Sequence, residues 1–273
     1  MDSIGIIGQG FVGNAIYQKF KNYFTVYTYD LDNTRCNSSL EQVRECKTIF
    51  ICLPTPTNSQ GECDTSIIES VLDDLDKRSY HDIVIKSTVV PGTTERLNKK
   101  YKDLSIVFNP EFLTEANAVQ DFENQNRIVL GGPRPTTTKI KRIYTKVFPG
   151  VHIIKTGSTH AEMIKYVTNT FLATKVSFAN EIYQICEKLE LDYDKVIEYS
   201  TFDERLGKSH WAVPGPDGDF GYGGHCFPKD LKAMISLAHD LNVSPRILTA
   251  VDCKNNDVRT DRDWEKMKGR AVS

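Results

Sequence analysis

Residues 3–20 read SIGIIGQGFVGNAIYQKF, an apolar run that ends in a glycine-rich turn and continues as a helix-like pattern. The turn, Gly8-Gln9-Gly10-Phe11-Val12-Gly13, has the spacing G-x-G-x-x-G. Between a strand and a helix, the first glycine makes a tight turn, the second lets a pyrophosphate approach the backbone, and the third lets the helix pack on the sheet. The stretch therefore predicts a strand, a dinucleotide-binding loop and a helix.

An acidic residue stands where such a loop needs one for the adenosine ribose. Asp30 ends the second predicted strand, roughly 20 residues after Gly8. Together with Asp32 its carboxylate would repel the 2′-phosphate of NADP, so the sequence predicts NAD as the cofactor. Arg35, close by, leaves NADP as the alternative. A flexible turn followed by a solvated acid is the simpler explanation, but the strand–helix context weighs against it.

The rest of the first half alternates short β-rich runs with amphipathic stretches. The predicted strands are Ser3–Ile7, Thr25–Tyr29, Thr48–Leu53, Ile83–Lys86, Ser105–Phe108, Arg127–Leu130 and Val151–Lys155, and the predicted helices are Gln9–Phe20, Ser39–Cys46, Thr65–Lys77 and Thr93–Tyr101. Such alternation implies parallel strands joined by right-handed crossovers. We therefore predict an α/β fold with a doubly wound parallel sheet of the Rossmann type.

Turn-forming or polar residues follow one predicted strand after another. Besides the glycine turn and Asp30, these are Pro54-Thr55-Pro56-Thr57, Ser87-Thr88 and Asn109-Pro110-Glu111. Any one of them alone is explained by a turn. Ligands of open α/β sheets bind beyond the carboxyl ends of the strands, so their succession predicts a binding site at this edge.

The second half is predicted to be mostly helical, with one very long helix. Thr159–Leu189 contains no glycine or proline, and its apolar residues recur at spacings typical of a helix of about 45 Å. Thr159 and Glu162 predict a capping box at its start. Shorter helices are predicted over Asp192–Tyr199, Pro228–Leu241 and Pro245–Asn256.

The change from alternating to helical pattern predicts two domains. Gly131–Thr138, rich in Gly, Pro and Thr, is one candidate boundary, but a further strand pattern follows it, so we place the boundary near Gly157. This gives an NAD-binding Rossmann domain over residues 1–157 and a helical domain over residues 158–273. The long helix exceeds what a small domain can cover, so we predict a homodimer formed through it.

Composition excludes several classes of protein. The net charge of -2 gives no electrostatic attraction to nucleic acid or to an anionic membrane. No apolar run approaches the ~18 residues of a membrane span, and the start does not resemble a signal peptide. Seven cysteines, with no C-x-x-C pair, argue against a disulfide framework and a zinc ribbon, and predict a cytoplasmic protein without a metal site.

One cysteine lies in an unusual loop. Residues 219–230 read DFGYGGHCFPKD, with glycines before Cys226 and a proline after it. Pro228 fits the first position of a helix, which would place Cys226 just before the positive end of the helix dipole, where a thiolate is favoured. A buried inert thiol is the alternative, although a glycine-rich loop is a poor place to bury one. The side chain of the neighbouring His225 is expected to diverge from that of Cys226.

These motifs resemble one enzyme family. GGHCFPKD, together with IIGQGFVG, PTPT, KSTVVPGTT, FNPEFLTE and AEMIKYVTNTFLA, is similar to the UDP-glucose/GDP-mannose dehydrogenase family, in the same order and from residue 3 to about residue 256. The cysteine loop and N-P-E-F-L-x-E are far more specific than the dinucleotide motif. The resemblance implies two NAD-dependent oxidations at C6 of a nucleotide-linked hexose, with a thioester on the cysteine between them.

The resemblance also implies roles for individual residues. Cys226 matches the nucleophile and Asp230 the acid beside it; Lys165 and Asn169 match the pair that holds the substrate oxygen and a water; Thr88 lies near the reacting carbon; and Glu111 matches an acid/base. The implied cofactor-binding residues are Gly8–Gly13 (Gly8, Gln9, Gly10, Phe11, Val12 and Gly13), Asp30, Arg35, Pro54, Thr55, Pro56, Ser87, Thr88, Glu115 and Lys229. The implied substrate-binding residues are Glu111, Phe112, Leu113, Glu115, Lys165, Asn169, Phe220, Tyr222, Gly223 and Arg205, the last acting on a neighbouring subunit.

The sequence also departs from the family pattern. Family members carry a second Rossmann-like domain that holds the nucleotide, and this sequence is expected to end about where its first strand would begin. Within the family we expect UDP-glucose as the substrate, with GDP-mannose or UDP-N-acetylhexosamines as alternatives. Outside it, 3-hydroxy-acid and 6-phosphogluconate dehydrogenases share the predicted architecture but need no thiol nucleophile. A non-catalytic NAD-binding remnant is a third possibility.

Overall fold

The computed structural model describes residues 3–76, 80–115 and 117–273. The chain forms two compact units. The first unit comprises residues 1–55 and 65–165, and the second comprises residues 56–64 and 166–273. The division thus falls inside the long helix, and a short segment from the first half belongs to the second unit.

The first unit contains a seven-stranded sheet with the order β2-β1-β3-β4-β5-β6-β7. Its strands are β1 (Ser3–Ile7), β2 (Thr25–Tyr29), β3 (Thr48–Ile51), β4 (His81–Ile85), β5 (Leu104–Phe108), β6 (Arg127–Gly131) and β7 (His152–Thr156). The chain order reverses between β1 and β3, which is the switch point at which open α/β sheets bind ligands. The predicted Rossmann-type α/β fold is confirmed.

One pair of strands departs from the parallel pattern. β5 and β6 are antiparallel and pair only at Phe108 and Gly131. In the described part of the connection between them there is one short helix, Ala118–Glu123. An antiparallel neighbour needs no full crossover, which explains how so short a connection suffices.

Helices of the first unit cover both faces of the sheet. They are α1 (Phe11–Phe20), α2 (Leu40–Arg44), α3 (Ser66–Leu75), α4 (Thr93–Lys100), α5 (Ala118–Glu123) and α6 (Arg134–Val147). Side chains alternate along each strand between two buried clusters: Ile49 and Ile51 belong to one, and Phe50 to the other. Strands buried on both faces read as continuous apolar runs, which is why β1, β3 and β4 were recognisable in the sequence.

Several local predictions need correction. Residues 131–138, a candidate boundary, lead into α6, which begins at Arg134. Pro135 lies in the first turn of this helix, where its missing N–H has no partner to lose. Helices α5 and α6 were not predicted. The expected capping box is absent because the long helix already begins at Ser158, which places Thr159 inside it. The predicted end of α3 at Lys77 lies outside the described residues.

The second unit is helical. Helix α7 spans Ser158–Lys188, 31 residues, and its first turns belong to the first unit. The others are α8 (Tyr193–Ser200), α9 (Cys226–Asp240) and α10 (Arg246–Val258). Two buried clusters hold this unit together, one around Tyr222 and Leu231 and one around Cys186 and Tyr193. No helix among the described residues is long and apolar enough to cross a membrane.

Candidate active site

Three glycines shape the loop between β1 and α1, each for its own steric reason. Gly8 has a φ of 93°, and a Cβ there would lie 2.4 Å from the Cys52 carbonyl oxygen. A Cβ on Gly13 would lie 1.8 Å from the Gly8 carbonyl oxygen, so the first turn of α1 packs directly on the loop. A Cβ on Gly10 would meet no atom within 4 Å. Gly10 therefore faces open space, as expected if a ligand approaches the backbone there.

Backbone donors and one carboxylate lie beside that space. Gly10 is the N-cap of α1 and provides no side-chain acceptor for the first N–H groups of the helix. Such a helix end favours a phosphate. Asp30 Oδ2 accepts the Gln9 N–H at 2.6 Å, which fixes the acid against the loop. These features of the chain fit NAD, with the pyrophosphate on the glycine loop and the adenosine ribose near Asp30.

Two adjacent strand-end loops are tied together. The Leu53 N–H, after β3, donates to Ser87 Oγ at 3.0 Å, and Thr55 Oγ1 donates to the Thr88 carbonyl oxygen at 2.7 Å. Thr55 and Ser87 are both buried. Hydrogen bonds thus join the loop after β3, as far as Thr55, to the loop after β4 at one edge of the sheet. Pro56, the next predicted cofactor-binding residue, belongs to the second unit.

Two lysines contact Glu111. Lys165 Nζ donates to the Glu111 carbonyl oxygen, and Lys86 Nζ lies 2.8 Å from Glu111 Oε2. The other carboxylate oxygen accepts the Phe112 N–H at 2.9 Å. Lys86 also donates to Asn109 Oδ1 at 3.0 Å. Glu111 and Lys165 therefore lie in contact, while Lys86, which sequence reasoning missed, holds the carboxylate.

Another cysteine near this group is not suited to nucleophilic chemistry. Burial raises the pKa of the Cys52 thiol to about 12, with smaller opposing contributions from Lys86, which lowers it, and Glu111, which raises it. A thiol with so high a pKa stays protonated at neutral pH. Burial likewise raises the pKa of Cys46. Both thiols behave as small apolar core groups.

In the second unit, Cys226 stands at a helix N-terminus. It is the first residue of α9, with His225 as the N-cap, and Pro228 occupies the third position, so both are shifted slightly from the prediction. Cys226 is half-buried, and its Sγ lies 3.5 Å from His225 Nε2. The expectation that these two side chains diverge is therefore wrong. A helix N-terminus and an adjacent imidazole both favour a thiolate.

A buried polar group follows Cys226 along α9. Asp230 accepts from Lys229 Nζ at 2.6 Å and from Asn169 Nδ2 at 2.6 Å. All three residues are buried. Burial by itself lowers the pKa of Lys229, but the charge of Asp230, and further contributions from Cys63 and Cys226, raise it above its usual value. Lys229 thus remains a cation close enough to Cys226 to interact with its charge.

The loop before Cys226 is fixed by residues in the last turn of α10 and in the segment that follows it. Asn255 accepts the Tyr222 N–H at 2.7 Å and donates back to the Tyr222 carbonyl oxygen at 3.0 Å. The Gly224 N–H donates to the Asp263 carboxylate at 3.1 Å. A Cβ on Gly223 would lie 2.3 Å from Arg259 Nη2, so any larger residue there would require the guanidinium group to shift. Sequence reasoning missed these supporting residues.

Comparison with known proteins identifies the family. Residues 27–148 match the UDP-glucose/GDP-mannose dehydrogenase family, NAD binding domain, and residues 159–257 match its central domain. The chain belongs to the UDP-glucose/GDP-mannose dehydrogenase family. The predicted resemblance and the predicted NAD cofactor are both confirmed.

Individual relatives agree with this assignment. A Bacillus subtilis protein named putative UDP-glucose 6-dehydrogenase is 39% identical over 236 residues, which are 82% of this chain and 53% of that protein. The chain therefore spans about half the length of the curated relatives it matches. A UDP-glucose dehydrogenase structure from Pyrobaculum islandicum superposes with a TM-score of 0.85 at 28% identity, covering 94% of this chain and 68% of that one. A Mycobacterium tuberculosis 3-hydroxyisobutyrate dehydrogenase shares the fold, with a TM-score of 0.72 at 17% identity over 93% and 92% of the two chains.

The remaining residues implied by the family differ in their exposure. Arg35 is bound to Asp32, 3.0 Å away, and Arg205 to Asp203, with Nε 2.8 Å from Oδ1; both arginines are exposed. Glu115 is exposed, whereas Phe112, Leu113 and Phe220 are half-buried and Tyr222 is buried. Among the described residues, no three His, Cys, Asp or Glu side chains are grouped as a metal ion requires.

Proposed function

We propose that this member of the family oxidises C6 of a nucleotide-linked hexose to the carboxylic acid with NAD, in two steps, with Cys226 as the covalent nucleophile. The observation that carries the proposal is the position of Cys226 at the N-terminus of α9, beside His225 and one helical turn before the buried Lys229–Asp230 pair. The other compact unit of the same chain matches the family's NAD binding domain.

The chemistry needs a nucleophile that suits an aldehyde. NAD held by the glycine loop and Asp30 would supply the hydride acceptor for C6, one molecule of NAD for each of the two oxidations. After the first, the Cys226 thiolate adds to the aldehyde carbon and forms an S–C bond; after the second, the same sulfur carries a thioester. Water then attacks the thioester carbonyl, the C–S bond breaks, and the acid and the thiol are released.

None of the cysteines forms a disulfide, which supports a reducing compartment such as the cytoplasm.

The other predicted residues supply charge and proton transfer. Lys165 is buried, and we assign its side-chain nitrogen to the oxygen that becomes an alkoxide or oxyanion. We assign Glu111 to the activation of the water that hydrolyses the thioester, because its carboxylate is held at a strand end. We assign Thr88 to a position near the reacting carbon. Asn169 and Asp230 hydrogen-bond to each other and place a polar pair beside the nucleophile's helix.

UDP-glucose is the proposed substrate, because relatives from several organisms are named UDP-glucose 6-dehydrogenase. GDP-mannose and UDP-N-acetylhexosamines are the alternatives within the family. The alternative outside the family is a hydroxy-acid dehydrogenase, which shares the fold. In that class of reaction a hydroxy acid is oxidised once and no thiol takes part. Cys226 in its fixed glycine loop favours the two-step reaction.

The test is an assay of NADH formation with a panel of nucleotide sugars and 3-hydroxy acids. The proposal expects two NADH per molecule of acid formed with one nucleotide sugar, and no turnover of that sugar by Cys226→Ala. One NADH per product, or oxidation of a 3-hydroxy acid that survives Cys226→Ala, would favour the other class. NAD binding without turnover of any compound would favour the non-catalytic alternative.

We also propose a homodimer formed through α7. One face of this helix carries exposed apolar side chains at helical spacing: Val167, Phe171, Phe178 and Ile185, each between 49% and 62% exposed. An apolar face of this extent is typical of an association surface. The family resemblance also assigns Arg205 to the substrate of a neighbouring subunit. The Arg205 side chain is 89% exposed in the single chain, so a neighbouring subunit could reach it.

A further inference from the structure

The N-terminus of α4 is capped from outside its own sequence. Its N-cap is Gly92, with a φ of 98° and no side chain to accept the free N–H groups. Glu162 accepts them instead: Oε2 lies 2.6 Å from the Gly92 nitrogen and Oε1 lies 2.7 Å from the Thr94 nitrogen. Glu162 is completely buried in the first turns of α7. Burial raises the pKa of Glu162, so this contact is made at a cost in desolvation, against which the N–H donors act.

The segment that Glu162 fixes begins in the cofactor site. Residues 86–92 join β4 to α4, and beyond the Lys86 contacts described above three hydrogen bonds hold them. Ser87 Oγ accepts the Leu53 N–H, the Thr88 carbonyl oxygen accepts from Thr55, and Gly92 donates to Glu162. The first two anchors come from the loop after β3. The third is the only one of these from outside the strand-end loops, and it sets where the segment ends.

Sheet order indicates which half of NAD this segment meets. The glycine loop follows β1 and Asp30 follows β2, so the pyrophosphate and the adenosine ribose lie over that side of the switch point. β4 lies on the opposite side of β1, beyond β3. A dinucleotide that crosses the switch point therefore directs its nicotinamide half towards the segment after β4.

We infer that Glu162 is a positioning residue for the nicotinamide half of the NAD site. It acts through the 86–92 segment and touches neither cofactor nor substrate. On the same helix, one turn later, Lys165 donates to the Glu111 carbonyl oxygen. The first turns of α7 thus fix both the segment after β4 and the segment after β5. The inference concerns NAD binding alone and does not depend on the sugar substrate proposed above.

The experiment compares NAD with ADP-ribose, which lacks the nicotinamide, by calorimetry without any sugar. Glu162→Gln keeps the shape of the side chain but replaces one acceptor oxygen by an amide donor that faces an N–H group. We expect NAD to bind about five- to tenfold more weakly, which is less than for the loss of a direct charge-assisted hydrogen bond because Glu162 acts only through the 86–92 segment, and ADP-ribose to bind within about twofold of the original protein. Glu95→Gln is the control, because Glu95 is exposed on α4, pairs with Lys99 and acts on Glu162 only through its charge; it should change neither affinity.

Two results would overturn the inference. One is an unchanged NAD affinity in Glu162→Gln. The other is an equal loss of NAD and ADP-ribose affinity, which would show a general structural role. If Glu162→Gln does not fold, Glu162→Asp serves the same comparison, because it keeps the charge and withdraws the carboxylate by one methylene group. In Glu162→Asp, an equal loss of affinity for NAD and for ADP-ribose would count against the inference in the same way.

Discussion

The ammonium group of Lys86 and the carboxylate of Glu111 form a buried ion pair, with Nζ 2.8 Å from Oε2 and side chains only 2% and 10% exposed. Lys86 follows β4 and Glu111 follows β5, so the pair joins two neighbouring strand ends. The ring of Phe122 lies 5.9 Å from the same ammonium group and contributes to its apolar surroundings. The carboxylate of Glu111, the proposed acid/base, is therefore held by the buried ammonium group of Lys86.

Lys86→Met should destabilise the protein strongly. Removal of one partner leaves the Glu111 carboxylate buried without its counter-ion, which costs on the order of 3–5 kcal/mol. Urea unfolding followed by far-UV circular dichroism would measure the loss. The double variant Lys86→Met with Glu111→Gln should recover most of it, because no buried charge remains. Lys99→Met is the control: its pair with Glu95 is 73% and 57% exposed and contributes little. A loss for Lys86→Met no larger than that of Lys99→Met would contradict the expectation.

Cys226→Ser should abolish formation of the acid. A serine hydroxyl is hard to ionise and would form an ester, which hydrolyses more slowly than a thioester. Mass spectrometry of the stalled variant should show a sugar adduct or no adduct, and NADH formation should stop short of two per sugar. Cys253→Ser, an exposed cysteine on α10, is the control and should leave turnover unchanged. Full four-electron turnover by Cys226→Ala would show that the cysteine is structural.

The sequence was sufficient for those parts of the fold whose signal is local. Strand β1 was predicted with its observed bounds, because buried parallel strands are continuous apolar runs. The limits of α7 were predicted to within one residue, because its spacing persists over many turns. Helix α6 was missed because proline and three threonines at its start suggested a loop, although a first turn tolerates proline.

The parts of the site that depend on distant pairing could not be predicted. Lys86 gave no signal, because its partner Glu111 follows a different strand and only the sheet brings them together. Glu162 was assigned to the start of its own helix, whereas its carboxylate caps α4. Arg259 was not singled out in the sequence, yet it is buried and lies 2.7 Å from Asp217. Each of these contacts joins residues that are far apart in the chain.

NAD should be preferred to NADP by about tenfold or more in catalytic efficiency. The Asp30 carboxylate is fixed against the glycine loop by the Gln9 N–H, where it would repel a 2′-phosphate. Arg35, the one residue expected to offset this repulsion, is 3.0 Å from Asp32 and is neutralised by it. Initial rates with the two cofactors at a saturating sugar concentration would measure the ratio. Asp32→Asn should raise the relative efficiency with NADP by releasing Arg35. An efficiency with NADP equal to or above that with NAD in the original protein would contradict the prediction.

The protein should sediment as a dimer at micromolar concentration, with a mass about twice 30.9 kDa. The exposed apolar face of α7 has Phe171 and Phe178 near its middle, at 62% and 54% exposure. A partner that covers these rings removes apolar surface from water, with a stabilisation of roughly 25 cal/mol per Å². Phe171→Glu combined with Phe178→Glu places charge on the face and should yield monomers. Phe202→Glu is the matched control, because Phe202 is 76% exposed but lies outside α7. If Arg205 serves a neighbouring subunit, the monomeric variant should retain NAD binding and lose turnover of the sugar. A monomer of 30.9 kDa with full activity in the original protein would refute both the interface and the role of Arg205.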